Sequence, residues 1–259
     1  MCLNILHKSS GEIIASVARP SEVGMEDPGR CRGTAVQQCA QLGQHLIDAD
    51  LKGVSCRHAD LRGQCFIGCI LDDADFSGAS LQGADFSGAS LLRARFDDAS
   101  LSGARFLNTD LKQATFKRAN LLTSSLIGAT LSDADFRDAH LMAARFDGAD
   151  CTRPDFRQAD LSHSSWGATR CISALFQGAT WNGIELEGHP VQLDGFGCNV
   201  VLLGDKVHVD GHIVPVKDAL NISTQEAISM GSLSWLRFVT HFRRIYPLLP
   251  DALIDTPSV

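Results

Sequence analysis

From Leu46 to Leu186 a large apolar residue recurs every five positions, as in Leu71, Phe76, Leu81, Phe86, Leu91, Phe96, Leu101 and Phe106. A small residue, most often alanine, stands two positions before each of them, as at Ala74, Ala79, Ala84 and Ala89. Steps of five from 46 to 186 give (186 − 46)/5 + 1 = 29 centres with no insertion. A period of five matches neither a helix at about 3.6 nor a strand at about 2. The chain must therefore turn at short, regular intervals. One large and one small inward residue per five suit one short side of a coil. The Asp, Ser, Gly, Arg, Gln and Thr residues between them suit solvated corners.

Every fourth centre reveals a second period. One series holds Phe66, Phe86, Phe106, Leu126, Phe146 and Trp166, and another Phe76, Phe96, Phe116, Phe136, Phe156 and Phe176. The two series between them are leucine-rich, from Leu51 to Leu131 and from Leu61 to Leu161. Four sides of five residues close a square coil of 20 residues, with aromatic sides opposed and leucine sides between them. Internal self-similarity of this kind fixes architecture before any other signal. About seven coils stacked at the inter-strand spacing make a rod on the order of 35 Å long.

The A-[DNS]-[LF]-x-[GRD] pattern resembles the pentapeptide-repeat proteins. The resemblance implies an all-β solenoid, a right-handed quadrilateral β-helix, over residues 46–189. Some positions depart from the pattern. Gln64 and Pro154 occupy small inward positions, as do Val54 and Cys69. Gln64 needs a backbone partner if buried, and Pro154 fits only where no ladder N–H is required.

Both ends differ from the repeat. Residues 1–45 read as an N-terminal cap. It comprises a hairpin of strands 3–6 and 12–17, a loop from Pro20 to Arg32, and a short helix N-capped by Thr34 with Val36, Cys39, Ala40 and Leu42 inward. Residues 190–259 read as a small β+α domain. Strands are expected at 200–203, 206–209 and 212–216, with a turn at Asp210-Gly211, then helical sequence after Ser223-Thr224-Gln225-Glu226. By element order and a few apolar positions, these ends are similar to those flanking phage- and prophage-type members of the family.

Composition narrows the function. The formal net charge is −7, and residues 46–186 carry 14 basic and 18 acidic side chains. That balance disfavours direct nucleic-acid binding, which needs a basic face. No apolar run approaches the roughly 20 residues of a membrane span, and no signal peptide is read at the N-terminus. The expectation is a cytoplasmic protein. Nine cysteines make an odd number, and Cys56, Cys69 and Cys151 fall at inward positions. Cys151 and Cys171 should stack one coil apart, but a reducing cytosol disfavours a disulfide.

No phosphate-binding loop, nucleophile elbow or paired metal motif is present in the sequence. His208, Asp210 and His212 flank the expected turn and raise a metal site against ordinary turn residues. No catalytic residue, cofactor or metal is assigned. Two functions fit. The first is a non-enzymatic scaffold that binds a protein partner. The second comes from the resemblance, since the family includes DNA mimics that bind type II topoisomerases such as gyrase and give quinolone resistance. A charged partner face is expected at Asp75, Asp97, Asp98, Asp135, Asp138 and Asp155, interleaved with Arg57, Lys117, Arg118, Arg137 and Arg157. A homodimer or partner contact is expected at Trp235, Phe238, Phe242 and Ile245, whose alternative role is to cover the end of the solenoid.

Overall fold

The structure is a computed structural model. It describes residues 2–18, 28–172, 174–175, 179–180, 191–193, 200–203, 206–209 and 212–215.

The five-residue period follows from a complete accounting of backbone donors. In the repeat 75–79, the Asp75 N–H donates to Val54 O of the preceding coil, and those of Phe76 and Gly78 donate to Arg95 O and Asp97 O of the next. The Ala79 N–H closes a tight turn on Phe76 O. Only the Ser77 N–H is left, and the Asp75 carboxylate accepts it at 3.0 Å. Asp85, Asn120, Asp135, Asp155 and Asp160 serve the N–H two residues on in the same way. Where a short acceptor precedes the large residue it is thus a turn element as much as a surface charge.

The same turn demands φ near +60° two residues after each centre. Gly78, Gly83 and Gly88 supply it at +68°, +66° and +67°. Where glycine is absent the backbone keeps this conformation, with Arg93, Asp98, Thr123 and Asp133 at +59°, +60°, +56° and +59°. Parallel bridges link residue i to i + 20 on all four sides, from Asp50↔Ile70 to Asp160↔Thr180.

The interior is filled. Phe76, Phe96, Phe116, Phe136 and Phe156 stack with centroids 4.7–5.1 Å apart. Phe66, Phe86 and Phe106 form the opposed ladder at 5.0–5.1 Å. Leu126 interrupts it before Phe146 stacks on Trp166 at 4.2 Å. The ladders meet edge to face, as Phe86 does with Phe76 and Phe96 at 5.7 and 5.6 Å. Leu71, Leu91, Leu111, Leu81, Leu101 and Leu121 bury the remaining two sides completely.

The irregular inward positions are accommodated individually. Gln64 is buried, and its amide donates to Gln44 O at 2.9 Å. Cys69 gives its thiol to Leu46 O. Elsewhere the small residue's N–H makes only the turn bond to the residue three before it. Pro154 therefore forgoes a turn bond and no ladder bond, and its carbonyl still accepts the Leu175 N–H at 2.9 Å.

At the N-terminus, β1 (Cys2–Leu6) pairs antiparallel with β2 (Ile13–Ala18). The hairpin joins the first coil through Asp50 N–H to Leu6 O and Lys8 N–H to Asp48 O, at 2.9 and 2.8 Å. The following helix, α1 (Pro28–Gln41), starts six residues before the expected cap. Thr34 lies inside it and donates its hydroxyl to Arg30 O, so it caps nothing. Leu42, expected inward, is 70% exposed. Pro28 and Gly29, expected in the loop, are helical, and the next glycine has a tertiary role. Gly33 sits against the first coil so closely that a Cβ would lie 1.7 Å from Ser55 O. Pro28 at the first helical position lacks only an N–H that the helix would not use.

At the other end, β3 (Asp150–Thr152), β4 (Arg170–Ile172) and β5 (Val191–Leu193) are parallel. β6 (Val200–Leu203), β7 (Lys206–Val209) and β8 (His212–Pro215) then continue the same sheet as an antiparallel meander. Arg170 pairs with Gln192, an offset of 22 rather than 20. A backbone rung thus persists past the point where the sequence pattern fails.

Candidate partner-binding surface

The carboxylates of the expected charged face stand on the side that buries Phe76, Phe96, Phe116, Phe136 and Phe156. Stacking at a 20-residue period brings side chains of successive coils into line. Arg118 reaches back one coil to Asp98 with two bonds of 2.7 Å. Arg137 and Arg157 each grip the aspartate two residues before them, Asp135 and Asp155, at 2.7 and 2.6 Å. Lys117 lies 3.4 Å from Asp135, Arg137 3.6 Å from Asp155, and Arg57 3.4 Å from Asp75. Asp97 accepts the Lys117 N–H at 3.0 Å, with Arg95 at 3.8 Å. Asp138 is exposed, in the left-handed conformation at φ 59°, beside Arg137, Arg157 and Gln158 on a depression of about 290 Å³. The face is a lattice of compensated charge rather than an anionic surface.

The same pairing sets the titration of these groups. The Arg118 bonds hold Asp98 below the usual carboxylate range. Burial opposes ionisation of Asp75 and Asp135. The Ser77 hydroxyl and N–H with Arg95 and Arg57 outweigh it at Asp75, and Arg137 with Lys117 outweighs it at Asp135. Both carboxyls end below their ordinary values. Burial pushes the Cys69 thiol up to about 12, which leaves it a core group rather than a nucleophile.

Trp235, Phe238, Phe242 and Ile245 lie outside the described residues. In the β7–β8 ladder His208 pairs with Ile213 and His212 with Val209, so the two histidines are not cross-strand partners. Among the described residues no group of three His, Cys, Asp or Glu is placed to hold a metal ion. Cys151 and Cys171 are ladder partners as expected, and Cys151 is buried.

One concave feature escapes sequence reasoning. Arg30, Gly33, Thr34 and Gln37 of α1 face Ser55, Cys56, Arg57 and His58 across a cleft of about 500 Å³. Its signal in the sequence is a polar stripe at i, i+3, i+4 and i+7, which becomes legible only once the helix is known to start at Pro28.

The pentapeptide-repeat family model matches residues 69–107, 94–133, 107–141 and 124–162 of the chain, with eight copies. Residues 69–162 of the chain are pentapeptide repeats. The pentapeptide coils are similar to those of a trypsin-treated variant of QnrB1, a plasmid-mediated fluoroquinolone resistance protein. That likeness has a TM-score of 0.51 at 26% identity and covers 56% of this chain and 73% of QnrB1. HetL of the cyanobacterium Nostoc sp. strain PCC 7120, a pentapeptide-repeat protein involved in heterocyst differentiation regulation, is 25% identical, with a TM-score of 0.34, over 66% of this chain and 87% of its own. No curated protein sequence matches the chain. No helix among the described residues is long and apolar enough to cross a membrane.

Proposed function

We propose that this pentapeptide-repeat protein is a non-enzymatic scaffold that binds a protein partner along its charged side. The observation that supports this most is the division of labour between inside and outside. Among the described residues the interior of the coils is packed with stacked Phe rings and buried Leu side chains. The outside presents paired Asp and Arg groups at a spacing set by that same stack. Fixed charges on a stiff frame give register and specificity to an encounter more than raw affinity. The hairpin and α1 close one end of the rod, as their bonds to the first coil suggest, and a cytosolic setting belongs to the same reading.

The test is affinity capture from host lysate with the intact protein and a double variant, Asp98→Arg with Asp138→Arg. Both residues are exposed, so circular dichroism and melting should change little. A captured protein that the variant loses supports the reading. Capture indifferent to the double variant removes the charged side from it.

A second reading is favoured by the likeness to QnrB1. In it the rod binds a type II topoisomerase as a DNA mimic. The paired carboxylates weigh against it, because mimicry of a duplex calls for net negative charge. Supercoiling by purified gyrase in the presence of this protein decides. Inhibition at micromolar concentration supports mimicry, and none sinks it.

Self-association is proposed through Trp235, Phe238, Phe242 and Ile245. Light scattering should then report about twice the chain mass of 27.9 kDa. Phe238→Asp with Phe242→Asp should return a folded monomer.

A further inference from the structure

The cleft between α1 and the first coil shares Arg57 with the charged side, and its chemistry is otherwise unlike the rest of the surface. It holds about 500 Å³, within the ordinary range of small-molecule sites. Its two walls are fixed to each other. The Ser55 N–H donates to Gly29 O at 3.0 Å, Gly33 packs on Ser55 O, and Val36 and Cys39 anchor the helix in the core. The helix wall contributes Arg30, Thr34, whose hydroxyl proton goes to Arg30 O, and the Gln37 amide, and the coil wall contributes Arg57 and His58. His58 lies over Gly78, where a Cβ would come within 2.4 Å of its Nδ1, so glycine at 78 makes room for the ring. Arg57 meets Asp75 through Nη1 alone, at 3.4 Å. A guanidinium carries five donors, so most of those on Arg57 stay available.

No carboxylate lines the cleft among the described residues, although elsewhere on the rod acids and bases alternate. The Arg57 guanidinium, with the His58 imidazole and the Gln37 amide beside it, offers donors in more directions than one carboxylate can accept, and suits the three oxygens of a phosphate. The volume is far larger than a phosphate ion needs. The remaining lining is Gly33, Ser55, Cys56 and Ala59, with no large apolar side chain, which suits a polyhydroxy body over an apolar one. We infer that this cleft binds the phosphate of a phosphorylated small molecule of the sugar-phosphate class.

Calorimetric titration of the intact protein in low-salt, phosphate-free buffer tests this with glucose 6-phosphate, inorganic phosphate, glucose and acetate. The expected order is the ester tightest, inorganic phosphate weaker, and the other two without effect. Arg57→Gln with His58→Gly should weaken the ester at least tenfold while melting is preserved, because residue 58 sits at φ 56°, where glycine is at ease. Gln37→Glu, which places a carboxylate in the cleft, should do the same by repulsion. Absence of ester binding overturns the inference, and so does binding that both variants leave intact. Acetate binding as well as the ester overturns the phosphate assignment. Equal affinity for inorganic phosphate overturns the sugar part and marks a site for the free ion.

Discussion

Replacing Phe116 tests the central physical statement about this rod, that stacked aromatic rings hold successive coils together. Phe116 is fully buried. Its ring stacks on Phe96 at 4.9 Å and Phe136 at 4.7 Å, and meets Phe106 edge-on at 5.9 Å. Alanine there removes the side chain's burial and leaves a cavity that the rigid backbone ladder cannot close, a cost of about 3–5 kcal/mol. Three aromatic contacts at about 0.5–1.5 kcal/mol each account for a large share of that. Leucine keeps most of the apolar volume, and the opposed ladder already contains Leu126 at an equivalent place. Phe116→Leu should therefore cost only about 1–2 kcal/mol, the loss of ring contacts alone. Urea unfolding followed by far-UV circular dichroism reads both variants. A solenoid is bound by nearest-neighbour contacts, so the alanine variant should also broaden the transition, as the coils on either side of residue 116 begin to melt separately. The reasoning is refuted if Phe116→Ala unfolds within about 1 kcal/mol of the unmodified protein, or if leucine costs as much as alanine.

Three further outcomes follow from the geometry. Thr123 is β-branched at φ 56°, so Thr123→Gly should raise stability by about 1 kcal/mol in the same unfolding experiment, and a loss would contradict the turn assignment. Gly33→Ala places a methyl on Ser55 O and should detach α1 from the first coil, seen as faster amide exchange at Ser55 with residues 100–140 unaffected. Asp73, Asp98 and Asp133 are held below their ordinary pKa chiefly by bonds from Arg93, Arg118 and Arg153. Because the folded values lie below the unfolded value of about 3.9, this stabilisation is complete above roughly pH 5 and is lost as pH falls through the folded values. The melting temperature should fall below about pH 4, and Arg118→Gln should shrink that fall.

The four-sided coil was legible in the sequence because its determinants are local. Each five-residue unit carries its own turn and its own inward pair, and many carry an acceptor for the leftover N–H as well. Repetition then forces the 20-residue register and the alternation of Phe and Leu sides. What the sequence left undecided depends on contacts between distant residues. Pro28 and Gly29 read locally as loop. They are helical because the helix presses on Ser55, 22 residues after Gly33, where any side chain would collide. The aspartates of the charged side read as charges interleaved with basic residues, but their partners are fixed by the coil: Arg118 and Lys117 meet Asp98 and Asp135 across the stack, and Arg137 and Arg157 meet Asp135 and Asp155 within one coil. The rung at Val191–Leu193 has no pentapeptide signal at all. It forms because β4 presents an unpaired parallel edge, and backbone donors and acceptors, unlike side chains, make no demand on sequence. The cleft beside α1 depends on the tertiary structure for the same reason. Its walls come from a helix and a coil whose approach is fixed by one backbone contact, and no local pattern in either wall announces the other.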